Sequence, residues 1–277
     1  MLRLPELTVY ISHTCDLACE SCFTYNNLNW GGHFEIDSSV EVLKDKVTFD
    51  EIFILGGEAT LHPKLGKWTE WVEYMWPNSK KWIVTNGRHL DKLNLRWFDN
   101  WQIEISAHSQ TDLTNIKSWL RDNNITYTKF VDNRHTDADI HYTLTKDNVV
   151  VGELSESWQF YKLPHMVKDK RSITWPTLSN IDEQFSLCPT KECMHLLDGR
   201  FYRCQQQALL PKLARQFQIE QPYKDIAQQD LGSSPEEFIE WSNTRLQSQS
   251  QCQLCNWSKK IDLPIESEIK KIKVLQV

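Results

Sequence analysis

The hydrophobic pattern over the first half of the chain alternates between short apolar runs and amphipathic stretches. Runs rich in β-branched and aromatic residues predict strands at Leu7–Ile11, Glu51–Leu55, Lys81–Thr85, Trp101–Ser106 and Ile125–Val131. Apolar residues that recur every three or four positions predict helices at Ile36–Val47, Leu65–Trp76, His89–Phe98 and Thr111–Asn123. Strands that alternate with helices in this way favour a parallel sheet with crossover helices, so the predicted fold class is α/β.

The pattern is weaker in the second half. It is compatible with a strand at Ile140–Thr145, a helix at Val149–Leu163 and a strand at Ile173–Leu178, and it leaves open which of them closes the sheet. Near residue 180 the character changes. Turn residues Asp198 and Gly199 predict a hairpin of Met194–Leu197 and Arg200–Arg203, followed by a helix at Pro235–Gln247 and a tail, Ile265–Val277, that forms a helix or an edge strand. We therefore divide the chain into domains 1–180 and 181–277.

Composition narrows the function classes. The chain has 277 residues, a net charge of -6 and a pI near 5.9, which argues against a broad basic surface for nucleic acid. The N-terminal residues lack the regions of a secretory signal, and no apolar run approaches the length of a membrane span. These features lead us to expect a cytoplasmic protein without membrane or nucleic-acid partners. In a reducing compartment its eight cysteines are expected to be ligands rather than disulfides.

Three cysteines directly follow the first predicted strand. Cys15, Cys19 and Cys22 have the spacing C-x3-C-x2-C. Closely spaced thiolates suit one soft metal centre, and a four-iron cluster held by three thiolates keeps one iron open for chemistry. Two other interpretations remain: cysteines four and seven positions apart also line one face of a core helix, and zinc also binds thiolates, although it prefers four ligands.

Further polar and glycine residues follow the next three predicted strands. They are, strand by strand, Gly56, Gly57 and Glu58, then Thr85 and Asn86, then Ser106 and His108. In parallel α/β folds, functional residues gather at the carboxyl ends of the strands. The two glycines permit a close approach of backbone to a ligand, and Glu58 offers a carboxylate to an ammonium group. Taken alone, Gly-Gly-Glu is most often only a tight turn.

Together, Cys15-x3-Cys19-x2-Cys22 and Gly56-Gly57-Glu58-Ala59-Thr60-Leu61-His62-Pro63 resemble the radical S-adenosylmethionine (radical SAM) superfamily. The resemblance implies a partial (β/α)6 TIM-like barrel with a small C-terminal cysteine-rich extension. It also implies a 4Fe-4S cluster on the three cysteines and SAM chelating the open iron. Gly56, Gly57, Glu58, Thr85, Asn86, Ser106 and His108 would lie around SAM, and Gly57 and Glu58 would contact its amino group. Many members place an aromatic residue before the third cysteine, whereas this chain has Ser21 there.

Five cysteines remain, at Cys188, Cys193, Cys204, Cys252 and Cys255. Their spacing resembles the auxiliary-cluster extensions called SPASM and twitch domains. We expect one auxiliary 4Fe-4S cluster that uses four of the five, without assigning which four. A structural zinc site is the alternative. The fifth thiol, or an open iron of this cluster, would be available to substrate.

The resemblance implies reductive cleavage of SAM to a 5′-deoxyadenosyl radical, which abstracts hydrogen from a substrate. Relatives with such extensions often mature ribosomal peptides by epimerisation, crosslinking or backbone excision, so a peptide substrate is expected. The implied partners are a flavodoxin or ferredoxin as electron donor and a separate protein for leader-peptide recognition, since the chain begins almost directly with the first strand. The alternatives are modification of a small molecule or nucleotide precursor, and a non-catalytic iron–sulfur or zinc protein. No catalytic acid or base is assigned.

Overall fold

The computed structural model describes most of two long stretches of the chain. It covers 1–125 and 178–255, apart from 20, 21, 23, 29, 95, 98–100, 108, 109 and 189. Elsewhere it describes the strands 141–142, 149–152, 158–161, 166–169, 172–174, 260–263 and 269–271.

The fold is organised around one eight-stranded, mainly parallel sheet. The strands, in chain order, are β1 (Leu2–Tyr10), β2 (Leu17–Cys19), β3 (Val47–Leu55), β4 (Lys80–Thr85), β5 (Gln102–Ser106), β6 (His141–Tyr142), β7 (Val149–Gly152), β8 (Trp158–Tyr161), β9 (Met166–Asp169), β10 (Ser172–Thr174), β11 (Cys193–Leu197), β12 (Arg200–Tyr202), β13 (Gln218–Ile219), β14 (Lys260–Leu263) and β15 (Ile269–Lys271). The order in the main sheet is β12-β11-β1-β3-β4-β5-β7-β6, in which only the edge strands β12 and β6 pair antiparallel. The mixed α/β class is therefore confirmed, while closure into a partial barrel stays a prediction.

Helices cover one face of this sheet. The helices are α1 (Leu65–Met75), α2 (Gln110–Asp122), α3 (Ile181–Leu187), α4 (Gln205–Gln216), α5 (Tyr223–Ala227) and α6 (Phe238–Ser242). The sheet residues of the covered face are completely buried; they are Leu7, Val9, Ile52, Ile54, Ile83, Ile103 and Ile105. They share a hydrophobic core with the apolar stripes of α1 and α2, and each such side chain stabilises the fold by roughly 1.5–3 kcal/mol.

The opposite face of the sheet carries acidic, hydroxyl and aromatic side chains. Residues two apart on a strand share a face, and in-register neighbours do so too. The register aligns Thr8 with Phe53 and Phe53 with Trp82, and it thereby places Glu6 and Glu104 on the same side. We call the side defined by these five residues the polar face.

The predicted elements of the first half are largely confirmed. β4, β5, α1 and α2 lie where the hydrophobic pattern places them, whereas β1 and β3 begin four to five residues before the predicted strands. Of the predicted helix His89–Phe98, the described residues include a 3-10 turn, Leu90–Lys92. The predicted helix Ile36–Val47 is wrong in length: a 3-10 turn, Ser38–Leu43, capped by Asp37, is followed by β3 from Val47. Asp45 adopts a left-handed φ of 63°, which ends the helical path. Of the predicted strand Ile125–Val131, all but Ile125 lies outside the described residues.

In the second half, the predicted helix is wrong, and the strand at Ile173–Leu178 is confirmed in part. Val149–Leu163 is not a helix, because β7 and β8 occupy parts of it, and β7 pairs parallel with β5. A run of three valines at 149–151 explains the outcome, since β-branched side chains favour strands. Within Ile173–Leu178, β10 belongs to a separate sheet with β9 and β13, so it does not close the main sheet. Of Ile140–Thr145, the strand β6 covers two residues.

The region around the distal cysteines is joined to the main sheet. The predicted hairpin is confirmed as β11 and β12, and β11 pairs parallel with β1. The predicted helix Pro235–Gln247 shortens to α6, whereas α4 was not predicted. In the tail, β15 pairs antiparallel with β2, as an edge strand. The domain division at residue 180 stays a prediction.

No helix among the described residues combines the length and the apolar character needed to cross a bilayer.

Candidate functional site

The Gly-Gly-Glu segment is hydrogen-bonded directly to the start of the cysteine loop. Gly57 N–H donates to the Ser12 carbonyl at 2.7 Å, and Glu58 N–H donates to the Thr14 carbonyl at 2.8 Å. A Cβ on Gly57 would lie 2.5 Å from the Thr14 carbonyl oxygen, and one on Gly56 would lie 2.6 Å from that of Ser12. Two backbones approach too closely here for any side chain. The glycines therefore hold the end of β3 against the residues that lead into Cys15.

Glu58 is buried and its carboxylate is engaged within the protein. Oε1 accepts hydrogen bonds from Thr60 N, Thr60 Oγ1 and Thr85 Oγ1, at 2.9, 2.5 and 2.7 Å, and Oε2 accepts one from Asn86 N at 2.6 Å. Burial raises the pKa of Glu58, and these hydrogen bonds oppose the rise. A carboxylate has about four lone-pair sites, so Oε2 keeps capacity for one further donor. The ammonium contact implied by the resemblance would have to use that capacity.

Thr85 and Asn86 connect the end of β4 to both motifs. Besides their bonds to Glu58, Asn86 Nδ2 donates to Asp16 Oδ1 at 2.7 Å. Asp16 directly follows Cys15, so this contact fixes the start of the cysteine loop. Arg88 then pairs with Asp112 of α2 through Nε and Nη2, at 2.9 and 3.1 Å. The sequence did not single out Asp16 or Asp112, because a lone aspartate carries no spacing signal.

The sulfur atoms of the first cysteine group accept hydrogen bonds from their own loop. Leu17 N–H donates to Cys15 Sγ and Asn26 N–H donates to Cys22 Sγ, each at 3.4 Å. A turn bond from Cys22 N to the Cys19 carbonyl, 3.2 Å, holds the second and third cysteines near one another. All three thiols are half-buried. Burial, more than the nearby Glu58 and Cys22 charges, raises the pKa of Cys15 above its ordinary value.

This donor set fits an iron–sulfur centre. Hydrogen bonds to the sulfurs and burial are among the features that tune such centres, and a buried thiolate is stabilised by a cationic partner. Within the described residues, no three cysteine, histidine, aspartate or glutamate side chains already form a metal-binding set. Metal sites are rarely preformed without their metal, so binding would draw the three thiols together. Ser106 is described at the end of β5, whereas His108 lies outside the described residues.

The distal cysteines separate into two locations. Cys188, Cys204 and Cys252 lie near one another: the pKa of Cys204 is raised to about 12, mainly by burial, with the Cys188 and Cys252 charges adding to the rise. The charges of Cys255 and Cys204 both act on the Tyr25 phenol, which places Cys255 in the same neighbourhood.

Cys193 lies on the main sheet instead. It begins β11, is 5% exposed, and its Sγ contacts Thr8 Oγ1 at 3.3 Å and His195 Nε2 at 3.4 Å. The Cys204 charge still contributes, as the smallest cause, to the raised pKa of Cys193. We call Cys188, Cys204, Cys252 and Cys255 the distal group, and Cys193 is separate from it.

The polar face adds functional candidates that the sequence reasoning missed. Phe53 and Trp82 stack with ring centroids 5.4 Å apart and planes 8° from parallel. The pKa of Glu104 is raised, chiefly by burial and further by the Glu6 charge. His195 is buried, and burial lowers its pKa to about 3, so its ring is neutral. The sequence signal that could have identified this face is the alternation of Glu6, Thr8 and Tyr10 with apolar residues along the first strand.

A substitution at Glu104 tests the electrostatics of the polar face. The pKa of Glu104 is higher in the folded chain than its ordinary value of 4.5. The free energy of unfolding therefore falls as the pH rises from 4.5 through the pKa of the folded state. Glu104→Gln removes this penalty. We expect a higher free energy of unfolding than wild type at about pH 8 and a smaller decrease from about pH 4, measured by urea unfolding. Glu6→Gln should give part of the same effect, and an unchanged pH slope in Glu104→Gln would contradict the assignment.

Comparisons with known proteins give structural matches only. No protein-family model matches the chain, and no curated protein matches its sequence. Nine chains of solved structures match its fold. One is a crystal structure of BtrN in complex with AdoMet and 2-DOIA, with a TM-score of 0.46, 13% sequence identity, and coverage of 91% of this chain and 93% of that chain. At this level of similarity, BtrN assigns no role to any residue of this chain.

Proposed function

We propose that this protein is a radical SAM enzyme. One observation carries the proposal: the cysteine loop and Gly56-Gly57-Glu58 are hydrogen-bonded to each other at the carboxyl ends of two neighbouring parallel strands, β1 and β3. Three thiols and a glycine-rich turn are thereby held at the edge of the sheet where α/β enzymes bind their ligands. A protein that only carried a cluster would have no need of the second motif.

Cys15, Cys19 and Cys22 would hold a 4Fe-4S cluster, which, when bound, supplies the electron that cleaves SAM. The residues around these cysteines would hold the two motifs in place. Glu58 fixes the turn after β3 through Thr60 and Thr85, and Asn86 fixes the loop through Asp16. The Gly56–Glu58 backbone, the free capacity of Glu58 Oε2, Ser106 and His108 are the proposed SAM contacts.

The distal group would hold the auxiliary 4Fe-4S cluster. The proximity of Cys188, Cys204 and Cys252, with both Cys204 and Cys255 near the Tyr25 phenol, supports these four as its ligands. Cys193 would then be the thiol left over. Because it lies on the polar face beside Thr8 and His195, it would face the substrate region rather than the cluster.

We propose a peptide as the substrate. Of the described residues on the polar face, Glu6 and Glu104 supply negative charge, and Lys80 is already paired with Glu51 at 3.1 Å. A face of this character, with the Phe53–Trp82 stack, favours a neutral or cationic substrate over one that carries phosphate. It therefore favours a peptide over a nucleotide precursor. Epimerisation, crosslinking and backbone excision all stay open as outcomes.

Two partners are proposed. A flavodoxin or ferredoxin would supply electrons, and a separate protein would recognise a leader peptide. A short precursor-peptide gene beside the gene for this protein would support the peptide assignment.

SAM binding at the reduced protein tests the proposal. The protein is reconstituted anaerobically with iron and sulfide and reduced with dithionite, and its EPR spectrum is recorded with and without SAM. We expect the spectrum to change on addition of SAM, because the open iron gains two ligands, and Cys22→Ala should abolish the change. A loaded cluster whose spectrum is indifferent to SAM, with no SAM retained in equilibrium dialysis, would contradict the proposal and favour a non-catalytic iron–sulfur protein.

A further inference from the structure

Tyr25 lies between the two cysteine groups. It is three residues after Cys22, its side chain is buried, and its hydroxyl donates a hydrogen bond to Gln206 Oε1. Gln206 is in the first turn of α4, whose N-cap is Cys204. The charges of Cys22, Cys204 and Cys255 all add to the raised pKa of the phenol, for which burial is the main cause. One side chain is therefore close to thiols of both groups.

The contacts around Tyr25 form a continuous connection from one group to the other. Cys22 Sγ accepts a hydrogen bond from Asn26 N, which is in the peptide bond that follows Tyr25. The Tyr25 side chain then reaches Gln206, and the backbone N–H groups of Gln206 and Gln207 donate to the Cys204 sulfur. Hydrogen bonds and one buried ring thus join the first loop to the helix end that carries a distal thiol.

The backbone of Tyr25 has a conformation that few residues other than glycine adopt. Its φ of 60° lies in the left-handed region, which is uncommon for a residue other than glycine, and for a bulky side chain it marks strain or a specific requirement. Such residues persist when the surrounding structure holds them in place, and they concentrate at functional sites. Here the burial of the aromatic ring and the bond from its hydroxyl to Gln206 hold the residue in place, and the bond requires tyrosine.

We infer that Tyr25 is a positioning residue that couples the two cysteine groups, so that a centre bound at the distal group stabilises the one bound at Cys15, Cys19 and Cys22. This inference rests on the proposed function, since it requires both groups to bind a centre. Coupling between sites is a free energy, typically equivalent to a change of about 5- to 150-fold in affinity. Coupling of this kind would make the first centre less stable in a protein whose second centre is missing.

A double-mutant cycle tests the coupling without an activity assay. The chain is reconstituted as wild type, Tyr25→Phe, Cys252→Ser/Cys255→Ser, and the combination of all three changes. Each protein is exposed to iodoacetamide, and the alkylation rates of Cys15, Cys19 and Cys22 are read by peptide mass spectrometry. Tyr25→Phe keeps the ring and removes only the hydrogen-bond donor. Gln206→Met removes the acceptor instead and serves as a second variant.

We expect loss of the distal centre to speed alkylation of the first group by about fivefold or more, and Tyr25→Phe or Gln206→Met to do the same in the intact background. In the Cys252→Ser/Cys255→Ser background, the tyrosine change should add nothing, because the coupling is already lost. Tyr10 is the matched control: it is a buried tyrosine near Cys15 and Cys22, and its hydroxyl bonds to His13. Tyr10→Phe should have equal effects in both backgrounds.

Equal effects of Tyr25→Phe in both backgrounds, or none in either, would overturn the coupling role. The iron content of the wild type separates this failure from that of the proposed function. A wild type with about eight irons and no coupling overturns only the inference. One with about four irons lacks the auxiliary centre, which overturns the inference and the auxiliary cluster, and the response of the first centre to SAM then decides the proposed function separately.

Discussion

Replacing Cys252 with alanine is expected to remove about half of the iron and sulfide that the reconstituted protein binds, because one of two 4Fe-4S clusters is lost. Replacing Cys193 with alanine is expected to leave both contents unchanged. The difference follows from position: Cys252 lies near Cys188 and Cys204, whereas Cys193 begins β11 and contacts Thr8 and His195. Iron and sulfide analysis after anaerobic reconstitution measures the effect.

The same pair of variants tests the nature of the distal site. Loss of iron from Cys193→Ala, with none from Cys252→Ala, would contradict the assignment of the distal group. If wild type held about four irons together with one zinc, the distal group would be a structural zinc site. Circular dichroism and thermal unfolding of both variants show whether a change in metal content arises from a loss of folding.

Gly57→Ala is expected to lower the free energy of unfolding by at least about 1–3 kcal/mol, as other overpacked substitutions do. The added methyl group would lie 2.5 Å from the Thr14 carbonyl oxygen and 2.8 Å from that of His13, and neither backbone can move without displacing the cysteine loop. Iron binding at Cys15, Cys19 and Cys22 should fall with it. Urea unfolding and iron analysis are the measurements.

Gly66→Ala is the matched control for this substitution. Gly66 lies in the first turn of α1, and a Cβ there would meet only Trp97, at the ordinary contact distance of 3.7 Å. Alanine in a helix is favoured over glycine by roughly 0.5–1 kcal/mol, so this variant should be as stable as wild type or more so. A Gly57→Ala protein with wild-type stability and iron content would show that the two backbones do not need their close approach.

Local chemistry was enough to predict the central sheet and the principal motifs. The β-branched runs around Ile52 and Ile83 identify strands whose isoleucines are completely buried, and the apolar stripe of α2 identifies the helix that shares their core. The position of Cys15 and Gly56 after strands followed from the same pattern. The turn at Asp198 and Gly199, both with positive φ, was evident from residue type.

Long-range contacts account for what the sequence did not predict. Glu58 was expected to face a ligand, yet Thr60, Thr85 and Asn86 bind it, and nothing in the spacing of these residues indicates that. The helix α4 was missed because Pro211 ordinarily stops a helix, although the apolar residues around it have helical spacing. The link between Tyr25 and Gln206 joins residues 181 positions apart. Only the folded chain brings such pairs together.

Release of 5′-deoxyadenosine shows whether this protein cleaves SAM reductively. The reconstituted protein is incubated anaerobically with SAM and dithionite, and the products are quantified by mass spectrometry. We predict 5′-deoxyadenosine from the wild type and from Cys193→Ala, and none from Cys22→Ala, which lacks one ligand of the first cluster. Failure of the wild type to release any 5′-deoxyadenosine, with both clusters confirmed by iron and sulfide analysis, would contradict this prediction.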